Sequence, residues 1–501
     1  MGELYTCAEQ VIVWLGEAGY DSDLVCGVLP GLTKRLWAVE EERGWGFPVG
    51  MDEVEALGFP PPEDKIWRAV LALYAREWFQ RLWVVQEIVL APSAVFLCGR
   101  HKVEWDAVVD FAWLTTKSGL LEAVTGLHTR ALGLDRLDRV VNGTRMINDS
   151  RQLQGGLGDP ERALDGLDMA LGLMQSQGAA VKVDHVYAIL GMLPEELELE
   201  VVVDYSEETK QNYGMVHAAF FRQCLERLAD WPANQFPPFA AAREDNVPSW
   251  CPRWGSGWDP AALSRAGGCR AGRPTATSSL QSFNSPWPAT AKEDGILRIA
   301  GIPADTVRDV IGLDRAQAGD PAEVLKVFKT CAAHTPDGVD GPERLLGTLL
   351  GVCGWVDTSL YSGAPHGRLL DGLFEFLESV LAYDNEHKDR AGYVPIDLGM
   401  PDYLLDKPGF WRRYLSHAMT RWWDRSVVVT EHGRVALVPR DTRPGDTVCV
   451  FLGATLPQVI SRHDDGMHWT YVGPGAVDGL VHGEVFDAED WEDKKETFCL
   501  R

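Results

Sequence analysis

Apolar and polar positions change period along the chain, and the changes divide it. Val11-Ile-Val-Trp-Leu15 is a short apolar run closed by Gly16, which predicts a buried strand of the kind found in parallel sheets. Residues 27–62 carry Gly, Pro48 and the Pro60-Pro61-Pro62 run and read as loop-rich. Glu63 and Asp64 then open a stripe in which Trp67, Leu71, Tyr74, Trp78, Leu82, Val85 and Val89 recur at spacings of three and four. That spacing predicts one helix with its apolar face on a core, ended by Pro92. Ala94 to Gly99 follows as a short strand.

From about residue 104 to 240 the pattern is mostly helical, with an apolar segment over Val183–Leu193 and a strand-like Val201-Val-Val203. Residues 241–294 are rich in Pro, Gly, Ser, Ala and Arg and read as a linker or long surface loop. From Ile296 the period becomes two, over Ile296–Ala300 and Asp305–Val310. A helical block runs to about 423. Val427-Val-Val429, Glu431-His-Gly433 and Val435–Val438 read as strand, tight turn, strand. Pro444-Gly445-Asp446 is a further turn before Thr447–Leu452, and Trp469–Val472 with Val481–Val485 completes a meander. The implied organisation is an α/β region over 1–110, a helical region over 111–240, the linker over 241–294, and a mixed region over 295–490.

Composition narrows the function classes. The 501 residues carry 47 Lys and Arg against 73 Asp and Glu, a net charge of −26. That excludes a nucleic-acid binder, which needs clustered cations, and docking on an anionic membrane. A hydrophobic content of 46% rules out a wholly disordered chain. No run reaches the ~20 apolar residues of a membrane span, and Leu345–Val356 reads as a buried core helix. The start, MGELYTCAEQ, lacks the basic and apolar regions of a signal peptide. The ten Cys include no C-x-x-C pair, consistent with reduced thiols in a cytoplasmic protein. The glycosylation sequons at Asn142 and Asn148 are then chance matches. Trp, at 19 residues, outnumbers Phe at 17 and Tyr at 12, and is read as core and loop anchoring.

The common catalytic signatures are missing: no P-loop, nucleophile elbow, zinc-protease helix or dinucleotide fingerprint occurs. His463 and His468 fall in a turn and read as solvent-facing, and Glu195, Glu196, Glu198 and Glu200 as a solvated face, so no metal site is expected. One local conflict stands out. Phe79, Trp83 and Glu87 lie at i, i+4 and i+8 of the predicted helix, with Glu87 near its C-terminus. A carboxylate there opposes the helix dipole by ~0.3–1 kcal/mol, among the apolar Val84, Val85, Ile88 and Val89. Either Glu87 accepts hydrogen bonds from a neighbouring segment or pairs with Arg81 or Arg76, or it is a functional carboxylate.

Several blocks together carry a family resemblance. Ala8–Gly16, Arg81-Leu-Trp-Val-Val-Gln-Glu87, Cys98-Gly99, Trp105, Asp184-His-Val-Tyr-Ala-Ile-Leu-Gly191, Asp204-Tyr205, Pro248-Ser-Trp250 and Trp254 occur in the order seen in the fungal heterokaryon incompatibility (HET) domain. The tail, from Gly445-Asp446 through Gly453-Ala454, Pro457 and Tyr471-Val-Gly473 to His482-Gly-Glu484, is similar to the family's C-terminal β region. The two blocks with which that domain opens are missing ahead of Val11, so the resemblance implies a partial HET domain and a chain incomplete at its N-terminus. Arg253 stands where the family usually has Asp.

The resemblance implies a TIR-like, flavodoxin-like α/β fold at the N-terminus, before the helical middle and β-rich end. It implies fungal non-self recognition and programmed cell death, acting through an unidentified protein partner or self-association, in the cytoplasm. Its alternative is cleavage of NAD as substrate, with no resident cofactor, since Trp83-Val-Val-Gln-Glu87 resembles the W-x-x-x-E stretch of NAD-cleaving TIR domains. Glu87 would then be the catalytic carboxylate stabilising a ribosyl cation, supported by Trp83, Arg81 and Gln86. An inactive remnant is the third reading. Trp83 is expected to be structural and buried under all three.

Overall fold

The computed structural model describes residues 2–19, 21–43, 53–118, 120, 124, 166–167, 170–175, 177–193, 197, 199–229, 247–255, 290–291, 295–317, 320–334, 341–349, 369–387, 415, 418, 422, 424–454 and 456–501. The sequons, the 241–246, 256–289 and 292–294 parts of the predicted linker, and Glu195, Glu196 and Glu198 lie outside them. The chain divides into two units. One is Met1–Val216 with Trp254–Trp258 and Pro401–Pro408; the other is His217–Arg253 with Asp259–Met400 and Gly409–Arg501.

The first unit holds a three-stranded sheet of order β1-β2-β3, with β1 Val11–Trp14, β2 Ala94–Cys98 and β3 His101–Glu104. β1 runs parallel to β2, while β2 and β3 form an antiparallel hairpin. The predicted β1 therefore exists, and its partner comes from later in the chain. It is not buried on both faces: Val13 is buried, but Ile12 and Trp14 are 61% and 51% exposed.

Around the sheet lie α1 Gly2–Thr6, α2 Ser22–Arg43, α3 Lys65–Tyr74, α4 Val84–Val89 and α5 Trp105–Ser118. α2 corrects the loop reading of residues 27–43. Val25, Leu29, Leu32, Leu36 and Val39 are all buried on it, a helical spacing hidden by Gly27, Pro30 and Gly31. α3 starts where Asp64, its N-cap, accepts from Ile66 N at 2.9 Å. The predicted stripe is right about burial, since all seven of its residues are in the core. The single helix is not formed: α3, a 3₁₀ turn over Glu77–Gln80 and α4 replace it. Short helices α6 Asp184–Tyr187 and α7 Glu207–Gln211 follow. Val201–Val203 is not a strand; Val202 is 86% exposed and lies outside any helix or strand. α8, Tyr213–Ala229, closes this part of the chain.

The second unit is built on a nine-stranded sheet. Its strands are β4 Thr290–Ala291, β5 Leu297–Gly312, β6 Arg425–Thr430, β7 Val435–Pro439, β8 Thr447–Phe451, β9 Gln458–Arg462, β10 Trp469–Pro474, β11 Ala476–Val477 and β12 Glu496–Leu500. β5, β12, β10, β9 and β8 close a ring, because β8 pairs back onto β5. β5 continues past the ring to pair with β6, which leads to β7 and β11. The two strands predicted over 296–310 are thus one. The ladder shifts register at Pro303–Asp305 and at Val307–Asp309, and these bulges bend the strand from one set of partners to the next. Val481–Val485 is not a strand either; the closing strand is β12, which local patterning does not show.

β6 and β7 are buried on both faces. Val428, Ala436 and Val438 pack with Val307, Val448 and Val459. Val427, Val435 and Leu437 point the other way, into a cluster with Leu313, Val324, Val327, Phe328, Leu345, Leu346, Leu373, Leu377 and Trp422. That second cluster is supplied by helices α9 Asp314–Gln317, α10 Pro321–Ala332, α11 Gly341–Leu349 and α12 Leu369–His387. α11 covers the described part of the predicted core helix at 345–356. The Trp reading holds for the largest buried rings. Trp67, Trp250 and Trp422 each donate their indole N–H to a backbone carbonyl, of Pro61, Gly295 and Leu349.

Asp305 sits in the first bulge with its side chain fully buried. Its carboxylate accepts from Thr306 N and His432 Nδ1 at 2.9 and 2.8 Å, His432 N at 3.3 Å, Thr430 Oγ1 at 2.7 Å and Arg434 Nη1 at 2.7 Å. Burial pushes its pKa up, but these donors outweigh that and hold the carboxyl below its ordinary value. A lowered folded pKa stabilises the fold above the unfolded carboxyl value, ~3.9, and that stability is lost as pH falls through the folded value. Urea titrations from neutral pH downward should show a loss beginning near pH ~4 that Asp305→Asn flattens. Asp305→Ala should cost about 3–5 kcal/mol, because Arg434 loses its buried partner; an unchanged midpoint would refute the role.

Candidate functional site

Arg81–Glu87 lies where the predicted helix breaks. Leu82 N donates to Gly178 O at 2.8 Å, and Gly178 N to Gln80 O at 2.8 Å. This parallel bridge takes the backbone groups a continuous helix would use, and Arg81 turns extended at φ −92°, ψ 130°. Helical geometry resumes at Trp83 (φ −58°, ψ −29°) and continues as the six-residue α4.

Two expectations are corrected as a result. Phe79, Trp83 and Glu87 do not share one helix face, and Trp83 is half-buried rather than buried. Glu87 also falls in the first turn of α4, where a helix dipole favours a carboxylate instead of opposing it. The dipole conflict read from the sequence vanishes once the helix is broken.

Glu87 is half-buried and makes no hydrogen bond or ion pair among the described residues. The pairing with Arg76 is not formed; that guanidinium donates to the carbonyls of Leu15 and Glu17. Glu87 and Arg81 both act on Tyr5. Burial raises the Tyr5 phenol pKa, the Glu87 charge raises it further, and Arg81 offsets part of that. A carboxylate, a guanidinium and a phenol thus share one neighbourhood of the first unit. Nothing in the sequence pattern drew attention to Tyr5.

Gln86 is buried at 3% exposure. Its Nε2 is 3.5 Å from Tyr187 O, while its Oε1 has no hydrogen-bond partner among the described residues. Its amide lies over Gly191, where an added Cβ would meet Oε1 at 3.1 Å. The 81–87 and 184–191 blocks therefore pack directly together. Tyr187 binds the third block: its hydroxyl accepts from Asp204 N at 3.2 Å and faces the carbonyls of Val202 and Asp204. Tyr205 donates to Asp184 Oδ1 at 2.7 Å, and the two tyrosine rings meet edge-on at 5.3 Å. Burial first, then the Asp184 hydrogen bond, raises the Tyr205 pKa. Beside Trp254, Gly255 takes φ +66° with His185 Nε2 only 2.6 Å from where a Cβ would stand. Only glycine fits there.

The remaining blocks build the second unit. Ser249 Oγ donates to Arg501 O and accepts from Tyr471 N at 2.9 Å, fixing Pro248-Ser-Trp250 to β10 and the chain end. Arg253, the departure from the family pattern, pairs with Asp424 at 2.7 Å with both side chains largely buried. His463 and His468 sit in the β9–β10 hairpin, both against Asp465, at 3.5 and 2.7 Å. Among the described residues no cluster of His, Cys, Asp and Glu has metal-binding form, and no helix is long and apolar enough to cross a membrane.

Comparison with known proteins finds similarity at the C-terminal end and over the chain as a whole. Residues 407–500 match the Het-6 beta-barrel domain. The whole chain is similar to "Heterokaryon incompatibility protein 6, OR allele" of Neurospora crassa, at 22% identity over 98% of this chain and 79% of that protein. No solved structure matches.

The packing sets two expectations. Gly191→Ala forces a methyl group against the Gln86 amide and should cost about 1–3 kcal/mol in a denaturation midpoint. Trp83→Ala should cost about 2 kcal/mol, below the ~3–5 of a fully buried aromatic. A full loss of that size would restore the sequence expectation for Trp83.

Proposed function

We propose that this chain, a protein of the fungal HET type, acts in non-self recognition between fungal individuals and drives incompatibility to cell death. The observation that carries this is similarity over nearly the whole chain to a heterokaryon incompatibility protein, together with the C-terminal barrel match. On this reading the barrel is a recognition or regulatory module working through protein contacts in the cytoplasm, with another protein or a second copy. Its β9–β10 hairpin presents His463, Asp465 and the 71% exposed Met467 to such a partner.

A second reading is favoured by Glu87. Its carboxylate has no ion pair among the described residues, stands beside Tyr5 and Arg81, and lies in a TIR-like stretch. A free carboxylate of this kind stabilises the ribosyl cation formed when the nicotinamide–ribose bond of NAD breaks. Arg81 and Trp83 would position the nucleotide, with the buried Gln86 holding α4 against Gly191.

Wild type, Glu87→Gln and a chain with residues 463–467 replaced by Gly and Ser are to be expressed in paired fungal strains, with cell death and cellular NAD followed together. The contact reading expects death to persist in Glu87→Gln and to disappear with the hairpin replacement, at equal protein levels. Loss of both death and NAD consumption in Glu87→Gln, in a chain that melts like wild type, would replace it with the enzymatic reading.

A further inference from the structure

β1 stands at the end of the first unit's sheet and pairs on one side only, with β2. Val11 N donates to Ser93 O at 2.9 Å and Leu15 N to Leu97 O at 2.8 Å, so the odd positions of the strand spend their backbone groups on β2. The N–H and C=O of Ile12 and Trp14 point to the opposite side, where they meet no partner among the described residues. A sheet edge is ordinarily guarded by a Lys, a Pro or a bulge. Val11–Trp14 contains none of these, and its register with β2 is unbroken. Ile12 and Trp14 also carry the strand's exposed side chains, on the same face as the half-buried Leu97 of β2. The charge at this edge is mainly of one sign. Glu9 and Glu17 bracket β1 and Glu3 precedes it; all three are exposed, and none forms an ion pair among the described residues. Arg76 is the cation at the Glu17 end, and its guanidinium is taken by the carbonyls of Leu15 and Glu17. Lys102 and Glu104, further along the same face on β3, pair with each other at 2.8 Å.

We propose that the open edge of β1 takes up an extended segment of a partner protein as an added strand, the segment carrying apolar residues at alternate positions and Lys or Arg at both ends. The N–H and C=O groups of Ile12 and Trp14 bind its backbone and fix it along β1. Its alternate apolar side chains lie beside Ile12 and Trp14, and its cations reach Glu9 and Glu17 at the two ends of the strand. A second copy of this chain is a poor occupant. Antiparallel pairing of β1 with itself about Ile12 and Val13 sets Glu9 of each copy beside Glu17 of the other, and parallel pairing in register sets each glutamate against its equivalent. Like charges opposed across a strand pair are destabilising, and a net charge of −26 adds general repulsion between copies. The surface lies wholly in the first unit and does not involve the β9–β10 hairpin.

The probe is a fluorescently labelled peptide of alternating Val and Thr with paired Lys at each end. It is titrated into the full chain by anisotropy, with amide hydrogen exchange followed at Ile12 and Trp14. The expected result is saturable binding that slows exchange of those two amides and weakens with added salt. Glu9→Gln combined with Glu17→Gln, or Glu in place of Lys in the peptide, should each weaken binding about tenfold. N-methylation of the peptide on the edge that faces β1 should abolish binding, because side chains and charge are kept and only the donors are lost. Ile12→Pro removes one outward N–H without touching the bonds to β2 and should weaken binding about tenfold at unchanged Tm. If that variant does not fold, the N-methylated peptide decides. Absence of saturable binding, binding that survives N-methylation, or binding that leaves both amides unprotected overturns the proposal. So does a dimer of the chain alone with the Ile12 and Trp14 amides protected, which would assign the edge to a second copy.

Discussion

A single strand has to serve two sets of partners in the second unit. β5 forms part of a closed ring with β8 and β12, then leaves it to carry β6, β7 and β11. A regular ladder cannot do both, so β5 breaks register at Pro303–Asp305 and again at Val307–Asp309. The first break sets a carboxylate where no water reaches, at a cost of several kcal/mol if it stood alone. Asp305 offsets that cost with donors from its own strand and from the β6–β7 turn. The same bonds fix the position of β6 and β7. On those strands rest both the cluster facing the ring strands and the cluster supplied by α9–α12.

The sequence was legible wherever a local pattern was enough. Val427-Val-Val429 and Val435–Val438 read as strands because both faces are buried, and Gly433 and Gly445 marked turns that need φ > 0, at +78° and +91°. What was not legible depends on distant partners. The break at Arg81 is made by Gly178, far along the chain, and no Pro or Gly marks it. β12 is recognisable only through its antiparallel partner β5. α2 was obscured by its own glycines and proline, although a core-facing stripe was present.

For the site, the blocks that resemble the HET domain proved more informative than the local anomaly at Glu87. The dipole argument assumed a long helix that does not form. The blocks at 81–87, 184–191 and 204–205, by contrast, come together through Gln86, Gly191, Tyr187 and Asp204. Arg253 shows that a departure from the family pattern has its own structural account, in Asp424. Tyr5 could not be found from the sequence, because its proximity to Glu87 and Arg81 arises only when α1 packs in the folded unit.

The acidic residues divide by what their charge does. The carboxylates that build the fold are saturated: Asp305 has five donor contacts, Asp184 holds Tyr205, and Asp424 holds Arg253. Removing any of these charges breaks hydrogen bonds that hold the fold, so a loss of activity would report on architecture. Glu87 belongs to neither the saturated acids nor the fully solvated ones. It is half-buried in a chain of net charge −26, and its conversion to Gln breaks no hydrogen bond among the described residues. Its place in the first turn of α4 is one where a helix dipole favours a carboxylate. What its charge acts on is the Tyr5 phenol, with Arg81 acting on the same phenol in the opposite sense.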